Sequence, residues 1–356
     1  MDWFDDYLNA LTDPGRNVVY PPDTNTWRPA LPNQQQKRMI NDSMAFDQQQ
    51  QMRIIQEARK QLEHHGASRD AAMGIGADPG SAGSNPLVPP AANPGIWLDS
   101  SRRVSVLDAS GNPCALNTPV ATWLDLSTNN RHFEQSNSLI RPALSSYQGM
   151  NYLKFDSNSG NHLNGNANSL TFANNVAGIT LVCVAQFGNP NTGIVLPEAI
   201  FTTTRPSPGG GNGSRIKFMS NPSVIPGAPA DDEGWYFAAG GRRLDSDLND
   251  KGAPADISTA TFKNNTAPGI ITAKINYAAG EVDILFNGAA AGSDPDFQTK
   301  GNSSTTNAAK VAIGRRFVSE IAYFNGVIGE FFAYERILTD AELIAVNSYL
   351  TEKWSL

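Results

Sequence analysis

Ile270-Ile271-Thr272-Ala273-Lys274-Ile275-Asn276-Tyr277, then Ala278-Ala279-Gly280, then Glu281-Val282-Asp283-Ile284-Leu285-Phe286-Asn287 is the stretch whose reading decides the fold. Ala273, Ile275 and Tyr277 alternate with Lys274 and Asn276, and Val282, Ile284 and Phe286 alternate with Asp283 and Leu285. A period of two belongs to strands with one buried and one wet face. The short Ala-Ala-Gly break predicts a hairpin joining them as antiparallel neighbours. Working outward, Ile179–Phe187 is a continuous apolar run, which predicts a central strand covered on both faces. Val327–Tyr334 predicts a further strand. Thr339-Asp340-Ala341-Glu342 has capping-box spacing and predicts a helix to about Lys353, with Leu343, Val346 and Leu350 facing inward. From Gly95 to Leu356 the pattern is mainly β, an antiparallel sandwich closed by one short C-terminal helix.

Composition agrees with a turn-rich β protein: 31 glycines, 23 prolines and only 17% charged residues among 356. The net charge is −7 with no Lys/Arg cluster, which argues against nucleic acid as a partner, since phosphate recognition needs concentrated positive charge. Two cysteines, Cys114 and Cys183, cannot supply a disulfide framework or a four-ligand zinc site. Cys183 reads as a small buried hydrophobe within its apolar run. No apolar run is long enough to span a membrane. The start Met1-Asp2-Trp3-Phe4-Asp5-Asp6 has neither the basic nor the apolar region of a secretory signal, so synthesis in a cytosol is expected.

The N-terminal part differs from the rest. Residues 1–32 place Trp3, Phe4, Tyr7, Leu8 and Leu11 at helical spacing on a peptide too short to be stable alone. A proline-rich extended run with Tyr20 and Trp27 follows, without a local core for those rings. Disordered tails are poor in aromatics, so the expectation is an anchor docking these seven residues into another protein. Residues 33–65 predict one long helix, capped at Asn33 and ended by Gly66. Its thin seam, Ile40, Met44, Gln51, Ile55, Ala58 and Leu62, alternates steps of three and four, as a coiled coil requires. Such a polar helix gains little alone, which points to a homo-oligomer, although the seam does not set the number of copies. Residues 66–94, rich in Gly, Ala and Pro, read as a linker.

Several segments resemble one family. Gly95-Ile96-Trp97-Leu98-Asp99, Trp123-Leu124-Asp125-Leu126-Ser127-Thr128-Asn129-Asn130-Arg131-His132 and Leu153-Lys154-Phe155-Asp156 are similar to the opening of a laminin-G-like, concanavalin A-like domain. Phe286-Asn287-Gly288 resembles its strand-to-turn step, and Phe324-Asn325-Gly326-Val327-Ile328-Gly329-Glu330-Phe331 its last strand. Tyr334-Glu335-Arg336-Ile337-Leu338-Thr339-Asp340-Ala341-Glu342, with Tyr349-Leu350 and Lys353-Trp354, resembles its C-terminal signature. The resemblance covers residues 95–356 and implies a jelly-roll sandwich. This architecture serves carbohydrate-binding modules, laminarinase-type glycosidases, and tailed-phage fibre and decoration proteins, and fold alone does not choose among them. Anchor, Gln-rich helix, linker and lectin-like head in that order suggest a structural virion protein of a bacteriophage, bound to other virion proteins through its N-terminus. Phage fibres resembling this layout are commonly threefold, so a trimer is the preferred homo-oligomer. Its head would serve host attachment by binding surface glycans. The alternatives are a capsid decoration or cement protein and a polysaccharide-degrading enzyme.

Candidate chemistry is sparse. Glu281 and Asp283 match two members of the laminarinase-type Glu-x-Asp-x-(x)-Glu strand, but Leu285 or Phe286 stands where the acid/base belongs. Double displacement needs two carboxyls about 5 Å apart, so no catalytic residue is assigned. Asp245, Asp247, Asn249 and Asp256 have oxygen-ligand spacing for calcium, although Asp250 replaces the turn glycine. A solvated acidic loop explains them as well, and no other cofactor is expected. Trp235 and Tyr236, beside the insert 205–234, are the candidate glycan-stacking residues; they equally suit a strand start. His132 and His162 lie in Asn-rich stretches with no nucleophile motif.

Overall fold

The computed structural model describes residues 91–187, 198–204, 214–221, 236–246, 251–256, 267–297, 299–317 and 321–356. The anchor residues Trp3, Phe4, Tyr7, Leu8, Leu11, Tyr20 and Trp27 and the seam residues Ile40, Met44, Ile55, Ala58 and Leu62 lie outside them, as do Trp235, Asp247 and Asn249.

Two antiparallel sheets face each other. The first contains β1 (Ile96–Asp99), β5 (Ala143–Tyr147), β6 (Met150–Phe155), β8 (Ile179–Phe187), β13 (Gly269–Asn276), β14 (Glu281–Phe286), β15 (Ala289–Asp294) and β19 (Gly326–Tyr334). Its order is β15-β14-β13-β8-β19-β6-β5, with β1 also paired to β19, so β1 and β6 share one edge of that strand. The second sheet has nine strands: β2 (Val106–Leu107), β3 (Thr122–Trp123), β4 (Phe133–Glu134), β7 (Leu163–Gly165), β9 (Glu198–Thr204), β10 (Ser214–Asn221), β11 (Tyr236–Gly241), β12 (Lys251–Asp256) and β16 (Lys310–Ile313). Its order is β12-β11-β10-β9-β16-β7-β4-β3-β2. A small hairpin, β17 (Arg315–Phe317) with β18 (Ile321–Tyr323), follows β16, and one helix, α1 (Asp340–Trp354), ends the chain.

The expected hairpin is present: Asn276 pairs with Glu281 and Ile271 with Phe286, which sends Ala273, Ile275, Val282 and Ile284 into the core together. Between the sheets, the Phe201 ring packs tilted on Phe331 of the opposite sheet at 5.0 Å and meets Phe133 and Phe172 edge-on. Strand β8 is central, flanked by β13 and β19, and buried on both faces. Leu181, Cys183 and Ala185 face the inter-sheet core, while Val182 and Val184 face outward into a second core.

That second core exists because α1 lies over the outer face of the first sheet. Trp97, Tyr152, Phe332 and Tyr334 project outward and meet Leu343, Val346, Tyr349, Leu350 and Trp354 from the helix. The capping box forms: Thr339 Oγ1 accepts from the Glu342 amide and Glu342 accepts from the Thr339 amide at 2.9 Å. Gly329 permits the close approach, since a Cβ there would stand 2.7 Å from the Trp354 ring. The packed part of the chain begins before Gly95, with Ala91 buried in this outer core and the Ala92 carbonyl accepting from Arg336.

The segments that carry the family resemblance are structural fastenings. Asp125 accepts from the amides of Trp97, Ser127 and Arg131, tying the loop after β3 to β1. Glu335 holds the Arg131 guanidinium and the Ala173 amide, and Arg336 grips Glu342 at the start of α1. That grip, first of all, takes the Glu342 carboxyl down to about 2.

Candidate functional site

The two outer faces differ in kind. On the first sheet, register places Asp99 opposite Glu330, and both carboxylates are fully buried under the end of α1. Lys353 from the last helical turn donates to Asp99 at 2.6 Å and to Glu330 at 2.7 Å. Glu330 also accepts from the indoles of Trp97 and Trp354, both at 2.9 Å, and from the Tyr349 hydroxyl at 3.1 Å. Asp99 accepts further from Ser101 and Arg102. Burial and the adjacent Asp99 charge raise Glu330 to about 7, against the pull of Lys353. For Asp99 burial works in the same upward direction, but the charges of Lys353 and Arg102 outweigh it and hold the group below its ordinary value. Every charge here is paired within the chain, so this cluster fastens the helix.

On the second sheet, alternation sorts the side chains by register. Trp123, Phe133, Leu163, Ile313, Phe201, Phe218 and Ala239 point into the core. The residues one step along therefore point outward, and they too are cross-strand partners. Thr122 pairs with Glu134, Glu134 with Asn164, Asn164 with Ala312, Ala312 with Thr202, and Thr202 with Lys217. The middle of this row is closed: Ala312 and Thr202 are fully buried, and Thr202 Oγ1 donates to the Arg315 carbonyl where β17 runs beside β9.

Its end on β3, β4 and β7 is open. Thr122 and Glu134 are half-buried and Asn164 is exposed. Among the described residues, none of these three side chains has a hydrogen-bond partner. Burial alone raises the Glu134 pKa. Strand spacing of about 4.8 Å sets the three in a strip about 10 Å across. A carboxylate accepts up to four hydrogen bonds, a hydroxyl and an amide both donate and accept, and the described residues use none of that capacity here.

Beside the strip, at the β7 end, a second polar group is locked. The His162 ring, 2% exposed, lies against the Gly160 carbonyl at 2.9 Å through Nδ1 and near Gln135 and Arg315 through Nε2. Burial lowers its pKa, so the neutral ring donates from Nδ1 and accepts at Nε2. Tyr323 stacks on the same ring at 5.6 Å. The group holds the β17–β18 hairpin against the loop before β7.

The residues singled out from the sequence fall elsewhere. Tyr236 opens β11, paired with Asn221 and Asp256. Both Asp245 oxygens are engaged: Arg215 donates to each at 2.7 Å, and Ser304 and Thr306 donate to Oδ2. That carboxylate serves a guanidinium fork, and Asp256 lies in β12. Glu281 and Asp283 share the outer face of β14 with Leu285, and Asp283 is paired to Lys274 at 3.0 Å. The Thr122–Glu134–Asn164 strip escaped sequence reading because its strands have only two or three residues each, too few to show a period.

No family model matches the chain, and no curated protein matches it. Among solved structures it is similar to the CBM40 of Ruminococcus gnavus IT-sialidase bound to α2,3-sialyllactose, at 14% identity and TM-score 0.39 over 55% of this chain and 96% of that one. It is similar also to domain 4 of AbnA, a GH43 extracellular arabinanase from Geobacillus stearothermophilus, in complex with arabinotriose, at 15% identity and TM-score 0.43 over 72% of this chain and 98% of that one. A third is Trypanosoma rangeli sialidase with the inhibitor DANA, at 12% identity and TM-score 0.47, with 85% of this chain matching 39% of that one. These are likenesses of fold.

Proposed function

We propose that the protein is a non-enzymatic structural protein of a tailed-phage virion, whose sandwich head binds host-surface glycans through the outer face of its nine-stranded sheet. The observation that carries the glycan reading is the open strip of Thr122, Glu134 and Asn164, three in-register polar side chains with unspent hydrogen-bonding capacity. Sugar hydroxyls are the complement of such a set, since each donates and accepts at the spacing of neighbouring side chains. The placement in a virion rests on the order of segments in the sequence. Residues 1–32 fasten to the particle, residues 33–65 associate three copies, and residues 66–94 link them to the head.

The test uses the full-length protein on a panel of host-surface polysaccharides. Binding without release of reducing ends is the expected result, and Thr122→Val with Asn164→Ala is expected to weaken it by about tenfold, the worth of one or two lost hydrogen bonds. Released reducing ends would replace this reading with that of a polysaccharide-degrading enzyme. Normal particle incorporation of a chain lacking residues 1–32 would remove the anchor.

A further inference from the structure

Glu134 stands out within the strip. It is the strip's one charged group, half-buried between Thr122 on β3 and Asn164 on β7, and neither strand presents it with a cation. Burial raises its pKa, and among the described residues no charged neighbour compensates it. The whole chain carries −7, so the background field adds nothing favourable for an anion.

A ligand lying on this strip covers Glu134 further and deepens its desolvation. Neutral hydroxyls replace the lost water hydrogen bonds but leave the charge uncompensated. A carboxylated sugar adds like charge at close range, which is a penalty in a partly dry site. An ammonium group does both jobs, with charge-assisted hydrogen bonds roughly twice as strong as neutral ones. Thr122 and Asn164 then receive the flanking hydroxyls.

We propose that the strip selects a glycan bearing a free primary amine, a glucosamine-type residue seated over Glu134, and disfavours uronate and sialate polymers. This rests on the glycan-binding reading above and names its ligand class.

Calorimetry on the full chain with glucosamine oligomers, N-acetylglucosamine oligomers of equal length and oligogalacturonate tests it. The amine oligomer is expected to bind about tenfold tighter than the acetylated one, the difference between charge-assisted and neutral hydrogen bonding. Oligogalacturonate should bind weakest. Glu134→Gln should erase the preference for the amine, bringing the affinities for the two hexosamine oligomers within about threefold of each other.

If wild type binds both hexosamine oligomers equally, the amine inference falls and glycan binding at the strip stands. If the preference persists in Glu134→Gln, general attraction to a chain of charge −7 explains it, and the inference also falls. If a chelator abolishes binding, a divalent cation rather than the sugar amine compensates Glu134. If no oligomer binds, or if binding ignores Thr122→Val and Asn164→Ala, the glycan reading of the strip fails first.

Discussion

Glu330 and Glu134 are both glutamates on outer sheet faces, Glu330 in register with Asp99 and Val184 and Glu134 with Thr122 and Asn164, and their surroundings are opposite. Glu330 is wholly buried beneath α1 and takes hydrogen bonds from Lys353, Trp97, Trp354 and Tyr349. Glu134 is half-buried, with no donor on it among the described residues. Burial raises both pKa values, so titration alone does not tell them apart. Hydrogen-bond accounting does. A buried carboxylate whose acceptor capacity is filled by its own chain is part of the scaffold, and one left empty in a partly dry strip is available to a ligand.

The largest effect expected from breaking this contrast is at Lys353. Lys353→Met leaves Asp99 and Glu330 facing each other without their shared ammonium. Loss of one partner from a buried ionic cluster costs about 3–5 kcal/mol, read as a drop in the denaturant midpoint. Glycan binding on the other sheet should survive in the fraction that remains folded; loss of binding in that fraction would couple the two faces.

Next in size is the pH dependence of stability. Glu330 is raised from 4.5 to about 7 in the fold, so its contribution is complete below pH 4.5 and is lost as pH rises through about 7. Asp99 is lowered from 3.8, so its contribution is present above that value and is lost as pH falls below it. Thermal melts should therefore show a maximum on the acid side of neutrality and a decline from about pH 5 to pH 8. The decline should amount to about 3 kcal/mol, the shift from 4.5 to about 7 at 1.36 kcal/mol per pKa unit. Glu330→Gln should flatten it, and an unchanged slope in that variant would assign the titration elsewhere.

Glu134 should behave in the opposite sense. Glu134→Leu removes a half-buried charge that none of the described residues satisfies, so the variant should be more stable by about 0.5–1 kcal/mol while losing glycan binding. A destabilised variant would mean that Glu134 has a structural partner. The smallest effect is expected at Asp283, whose pair with Lys274 is 43% exposed on the carboxylate side. Asp283→Asn should change stability by less than about 0.5 kcal/mol and leave glycan binding intact.

The sandwich was legible in the sequence because its long strands carry their own periodicity. The hairpin of β13 and β14, the doubly covered β8 and the capping box of α1 are local patterns, and local patterns survive in one dimension. The short strands β2, β3, β4 and β7 carry no such pattern, and the open strip is built on three of them. Trp235 and Tyr236 stand in the sequence as aromatics beside a long insert, a compositional signal with no geometry in it. Asp245 attracted notice by spacing, yet its carboxylate is taken up by Arg215, 30 positions away in the chain.

Alternation of apolar and polar residues, turn residues and a helix cap are set by neighbours within a few positions, so the sequence by itself determined the β class, the hairpin and the closing helix. Which carboxylates are satisfied is set by groups that only folding brings together. Lys353 reaches Asp99 across 254 positions, while nothing reaches Glu134 from the described residues. Solvation and hydrogen bonding depend on proximity in space, and the tertiary structure alone decides it.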